Sequence, residues 1–298
     1  MQKERLGVYL YCFYQGGESF PDLVGIDGDH KVFALRYGDL NAAVSLVPLE
    51  EFGARPLEQR MAELNWIAPR VIVHERIIEE IMTAHPVIPV RFCTIFASGE
   101  RIEELLENHR AKIIRFFSDI ADKEEWGVKG YINGGQVEDA LKRLSPGVQA
   151  IETKLQEASP GKTYLLGKKR DLAIKDGLTG VVLQIVEEAF QRLLAHAIKG
   201  VKNKPFKLED EETREMIVNA AYLVRKSDLR IFHERVKETE EKYRARGFNL
   251  NLTGPWPPYN FCPFFGNCET RPIIRTRKRQ YCFDMHPPIR LIGIHNVD

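Results

Sequence analysis

The stretch FNLNLTGPWPPYNF (residues 248–261) sets the strongest limit on the fold. Phe248, Leu250 and Leu252 alternate with Asn249, Asn251 and Thr253, the period of a half-buried strand. The strand then runs into LTGPWPPYNF, where ten residues hold three prolines, one glycine and three aromatics. Proline has a fixed φ and no N–H to give to a ladder, so this stiff segment belongs at the end of a sheet. No acid, base or nucleophile pair lies beside it. That leaves a packing device or a docking surface.

The rest of the chain alternates strands with helices. VYLYCFY (residues 8–14) is a β-branched and aromatic strand, and KVFALRYGDLNAAVSLVPL holds two more around a Gly38-Asp39 turn. Leu57, Met61, Leu64 and Ala68 fall on one helix face, and Pro69 either kinks that helix or opens a second one, which continues to about Ala84. PVIPVRFCTIF (residues 86–96) reads as a strand. Ser98 is placed to cap a helix whose face is Ile102, Leu105, Leu106, Ile113, Phe116, Phe117 and Ile120. Beyond a boundary near residue 123 come the strand EWGVKGYIN, a short helix (137–144), a polar segment, and a long helix over about 171–199. The strand MIVNAAYLVR follows, then a helix capped by Ser227 or Asp228 and ended near Gly247, and last the strand that leads into the proline-rich segment.

This order predicts an α+β fold in two domains. Residues 1–123 form an N-terminal mixed α/β domain, and 124–261 a modified ferredoxin-like domain with an enlarged helical part. Residues 262–298 form a tail with three cysteines, four prolines and the run RTRKR, six basic against three acidic residues. Hydrophobic content of 44% over 298 residues is enough for a core in each domain, and a net charge of +1 gives the whole chain no bias toward nucleic acid or membrane. Nothing resembles a signal peptide or a spanning helix, and five scattered cysteines fit reduced cytoplasmic thiols better than a disulfide framework.

Motifs that suggest chemistry are incomplete. Gly161-Lys162-Thr163 echoes a phosphate loop, but the glycine needed five residues earlier is Gln156, so a turn before a helix with Lys168 and Lys169 on the surface is the plainer reading. HERII at His74 begins like a zinc-protease helix, but the second histidine is replaced by Ile78, which leaves His74 and Glu75 as a packing or hydrogen-bonding pair at a helix surface. Cys262, Cys268, Cys282 and His286 are the candidate metal ligands; their first gap is wider than a usual zinc knuckle. The RTRKR run suits phosphates or an acidic protein surface equally. No triad or carboxylate pair stands out, so no cofactor and no enzymatic activity are expected. The competing class is a regulator that binds nucleotide, metal or nucleic acid.

Five segments in order, LNWIAPRVIVHE, VIPVRFCTIF, PGKTYLL, NAAYLVR and LTGPWPPYNF, resemble the gas vesicle protein F/L family (GvpL/GvpF). The resemblance covers about residues 5–261. It implies a non-enzymatic, cytoplasmic, vesicle-associated assembly factor or minor structural component that binds the hydrophobic shell protein and other accessory proteins, and two α+β domains, the second modified ferredoxin-like. The family usually carries glycine where this chain has Cys93. The candidate partner-binding residues are Trp256, Pro257, Pro258, Tyr259 and Phe261; Trp256 and Tyr259 either lie at the interface or pin the strand end that shapes it.

Overall fold

Strand β1 (Leu6–Gln15) is buried on both faces, which a strand of tyrosine, phenylalanine and aliphatic residues can sustain only at the centre of a sheet. The computed structural model describes residues 5–17, 22–205 and 214–263. In it β2 (Phe33–Tyr37) and β3 (Leu40–Pro48) form a hairpin around Gly38-Asp39, and Gly38 takes the left-handed φ of +63° that so tight a turn requires. Short helices α1 (Leu49–Phe52) and α2 (Ala54–Arg60) lead to α3 (Leu64–Ala84). Next come β4 (Val87–Pro89), β5 (Ile95–Phe96) and α4 (Gly99–Ile120). The sheet order is β2-β3-β1-β4, with β5 also paired to β1, and every pairing is antiparallel.

A bulge in β1 arranges the layers. Leu10 pairs with Val44 and Cys12 with Ala43, so Tyr11 has no partner on β3. The extra residue resets the side-chain parity. Tyr9, Tyr11, Cys12 and Tyr14 therefore share one core with Trp66, Ile67, Val71, Ile77, Ile78 and Ile81 of α3. Val8, Leu10 and Phe13 share the other with the α4 face, and all seven residues expected on that face are buried.

The second compact unit spans Glu125–Pro255. Its elements are β6 (Lys123–Asn133), α5 (Gly134–Leu144), α6 (Pro146–Gln156), α7 (Pro160–Leu194), β7 (Lys199–Lys202), β8 (Arg214–Arg225), α8 (Leu229–Arg244) and β9 (Phe248–Trp256). The sheet order is β7-β8-β6-β9. Val218, Ala220, Tyr222 and Val224 of β8 line one face and share a core with Ile185, Ala189, Phe190 and Leu193 of α7 and Phe232, Val236 and Tyr243 of α8. Gly247, at φ +73°, closes α8 by donating its N–H to the Arg244 carbonyl at 2.9 Å.

Several elements differ from the sequence expectation, each for a local reason. The helix break lies between α2 and α3, and Pro69 sits inside α3; Leu64 is exposed, because it begins a new helix instead of continuing the face of Leu57 and Met61. The polar segment after α5 is helix α6, capped by the Ser145 hydroxyl accepting from the Val148 N–H, with Pro146 in its first turn. Residues 86–96 form two short strands split by a turn at Arg91–Thr94, where the Thr94 hydroxyl donates to the Arg91 carbonyl at 2.6 Å. Residues 256–261, expected with the second domain, group with the first unit, because Tyr259 packs into the core beside β1.

Gly130 in β6 marks the tightest approach in the second sheet. A β-carbon there would lie 2.8 Å from Val218 Cβ and 2.9 Å from the Phe248 ring. Val218 branches at that atom and has no rotamer that withdraws it. Gly130→Ala is expected to cost about 1–3 kcal/mol by overpacking, read as a lower thermal or urea midpoint.

Candidate functional site

Three of the five segments, LNWIAPRVIVHE, VIPVRFCTIF and LTGPWPPYNF, meet at one buried polar network in the first unit. Its centre is the Tyr9 hydroxyl, which β1 presents toward α3. It accepts the Cys93 N–H at 2.9 Å and lies 2.9 Å from His74 Nδ1. His74 Nε2 is 3.2 Å from the Val90 carbonyl, which only accepts, so the ring carries its proton on Nε2 and Tyr9 donates to Nδ1. Burial pushes the imidazole down to about 4 and keeps it neutral. The rings of Tyr9, Tyr11 and Phe92 surround it at centroid distances of 5.7, 5.7 and 5.8 Å. Tyr11 reaches the other way, accepting the Ile26 N–H and sharing a hydrogen bond with Ser45 Oγ, both at 2.8 Å.

Cys93 sits beside this centre with φ +62°, the left-handed region that glycine enters freely and other residues enter at a cost. A glycine at this place would meet no such cost. Here the thiol is buried, and burial pushes it up to about 12, so it stays protonated.

Glu75, one residue after His74, receives the proline-rich segment. The Tyr259 hydroxyl donates to Glu75 Oε1 at 2.8 Å across 184 residues of sequence. Oε2 is buried with no hydrogen-bond partner. Burial raises the carboxyl to about 7, the Tyr259 hydrogen bond opposes that, and Glu79 one turn along α3 adds to it. His74 and Glu75 are therefore not a simple surface pair: His74 is wholly buried, and Glu75 is half-buried with its Oε2 enclosed. The signal for this in the sequence was the run of tyrosines in an otherwise apolar strand, since a buried Tyr hydroxyl needs a partner.

The other candidates are placed apart from the network. Pro257 and Pro258 are buried, while Trp256 and Phe261 are half-buried. Cys262 is half-buried and packs against the core shared by Val8, Leu10 and Phe13; Cys268, Cys282, His286 and the RTRKR run lie outside the described residues. Among the described residues no cluster of three or more His, Cys, Asp or Glu side chains is arranged to hold a metal. Gly161-Lys162-Thr163 lies in the first turn of α7 and not before it. The Lys162 and Thr163 N–H groups both donate to the Ser159 carbonyl, at 2.9 and 3.0 Å, so neither is turned to wrap a phosphate. No described helix is long and apolar enough to cross a membrane.

The sequence model of the family described as "Gas vesicle synthesis protein GvpL/GvpF" matches residues 7–263. The chain belongs to the GvpL/GvpF family. It is 29% identical over 231 residues to gas vesicle protein L of Streptomyces sp. (strain CB03234), covering 76% of this chain and 81% of that one. It is 24% identical over 257 residues to gas vesicle protein F of Nostoc sp. (strain PCC 7120 / SAG 25.82 / UTEX 2576), covering 84% and 96%. The crystal structure of GvpF from Anabaena sp. PCC7120 superposes with a TM-score of 0.65 at 20% identity, over 87% of this chain and 98% of that one. That likeness establishes a shared mixed α/β fold. The GvpL/GvpF match takes in the Tyr9 strand, the His74-Glu75 helix and the Tyr259 segment, and ends at residue 263.

Two outcomes follow from the network. Cys93→Val is expected to destabilise by about 2 kcal/mol, because a β-branched residue is poorly tolerated at positive φ, whereas Cys93→Gly should stay within about 1 kcal/mol of the parent in urea titration. The pH profile has two opposed slopes. Neutral His74 stabilises fully above its usual 6.5, and that contribution is lost as pH falls through about 4. Neutral Glu75 stabilises fully below its usual 4.5, and that contribution is lost as pH rises through about 7. Across roughly pH 4.5–6.5 the two offset, and Glu75→Gln is expected to unmask a stability that climbs with pH, measured by denaturant titration at each pH.

Proposed function

We propose that this chain is a non-enzymatic assembly factor and minor component of gas vesicles, acting in the cytoplasm in association with them. On this reading it binds the hydrophobic shell protein and other accessory proteins as vesicles form. The second unit is a modified ferredoxin-like domain. Its strand order and its alternation of β6, helices, β7, β8, α8 and β9 support that assignment, with α5, α6 and α7 enlarging what is usually one crossover helix.

The observation that carries partner binding is a line of leucines on α7. Leu165, Leu172 and Leu183, at spacings of 7 and 11 residues, lie along one side of the helix and are 67%, 61% and 64% exposed. An aligned apolar row open to solvent on a long helix is the usual mark of a binding face. Half-buried Trp256 and Phe261 supply a second apolar contact, with Pro257 and Pro258 limiting the entropy lost on binding and Tyr259 pinning the segment through Glu75.

A binding titration of purified full-length protein against the shell protein tests this. Leu165→Glu/Leu172→Glu and Trp256→Ala are each expected to weaken binding at least about tenfold while circular dichroism stays unchanged. Folded variants that both bind like the parent would reject the reading.

A further inference from the structure

The contact between Glu75 and the segment after β9 has a feature that simple packing does not need. Residues 257–263 return to the first unit as a strap, held by short turns in which Tyr259 N–H donates to the Pro257 carbonyl at 2.7 Å and Phe261 N–H to the Pro258 carbonyl at 3.2 Å. The Tyr259 ring packs against the core of Tyr9, Tyr11 and α3. Its hydroxyl ends on one oxygen of Glu75, and the second oxygen of that carboxyl is enclosed and has no hydrogen-bond partner. An apolar core would be better served by leucine at this position; a carboxyl with a bare buried oxygen tolerates the proton and resists the charge.

The groups around Glu75 reinforce that preference. Tyr259 faces it from the strap, Tyr9 from β1, and Glu79 from the next turn of α3. Behind them stand the protonated thiols of Cys12 and Cys93. The groups acting on its charge are a second carboxyl and two neutral hydroxyls; a cation beside the cluster, Arg70 on α3, acts on the Cys93 thiol and is paired with Glu51 at 2.7 Å.

We propose that Glu75 and Tyr259 form a proton-coupled latch: the strap is closed over the first unit while the carboxyl is neutral, and ionisation of that carboxyl releases it. Opening lets water reach Glu75 Oε2 and uncovers the apolar surface of the β1–α3 core beneath the Tyr259 ring. The proton is taken up from and returned to solvent, and no other reactant is involved. A carboxyl that titrates near 7 when closed and near 4.5 when open makes the opening constant rise about tenfold per pH unit, roughly 300-fold between those limits, and level off above them. The latch is a property of the first unit and its strap, and it holds whichever partner the protein binds.

Hydrogen exchange of the full-length protein tests it. Exchange of the Tyr259 and Phe261 amides, corrected for intrinsic rates, is followed from pH 5 to 8. The parent is expected to show an opening constant that climbs between pH 5 and 7 and then flattens. Glu75→Gln, which is neutral at every pH, is expected to keep the strap protected with no such climb. A climb that persists in Glu75→Gln, or is absent from the parent, overturns the proposal. A measurement that needs no variant is the carboxyl carbon resonance of Glu75 in the parent. A midpoint near 7 shared by the strap amides supports the latch. A midpoint in the ordinary carboxylate range, or strap amides that do not follow it, overturns it.

Discussion

The Tyr9 hydroxyl is the atom on which the first unit depends. It lies in the central strand, accepts a backbone N–H from the turn between β4 and β5, and donates to a histidine on α3. Three elements far apart in sequence are thereby fixed to one point, in a setting where any unpaired group costs about 1–3 kcal/mol. The bulge at Tyr11 is what turns the tyrosines of β1 toward α3 on both sides of the irregularity. Without that reset, Cys12 and Tyr14 would point into the α4 core and leave the core beneath the strap.

The network is built from groups held neutral. Burial moves His74 down and Glu75, Cys12 and Cys93 up, so at pH below about 7 the centre carries no formal charge despite its content of titratable side chains. This is how a polar cluster can occupy a core without the desolvation cost of an ion pair. Charge in the second unit is arranged oppositely. There Glu188 on α7 accepts from Tyr243, Lys242 and Gln184, which hold its carboxyl down to about 2 at the solvent-exposed seam between α7 and α8. Such exposed contacts set helix orientation more than stability.

Much of the architecture was legible in the sequence because periodicity is local. The α4 face from Ile102 to Ile120 appears intact, as do the hairpin at Gly38-Asp39, the helix stop at Gly247 and the strand leading into the prolines. What failed to show has a physical cause. Helix α6 lacks a long apolar stripe, and its evidence was a capping serine and a proline, which also suit a loop. The break before α3 left the 4-3-4 spacing undisturbed, so the pattern ran on across two helices. The candidate site was legible only in pieces. HERII and LTGPWPPYNF each stood out, but their meeting through Glu75 and Tyr259 spans 184 residues, and the requirement at Cys93 is a dihedral angle that no side-chain pattern encodes.

The placement of the strap also bears on how the chain is made. Tyr9 and Glu75 leave the ribosome early, while Tyr259 follows Glu75 by 184 residues, with the whole Glu125–Pro255 unit between them. At about 5–20 residues per second, that interval is roughly 10–40 s of synthesis. During it the first unit has its sheet but lacks its last layer over the Tyr9 core. The nascent protein therefore passes through a stage in which an apolar surface waits for a much later stretch of its own chain.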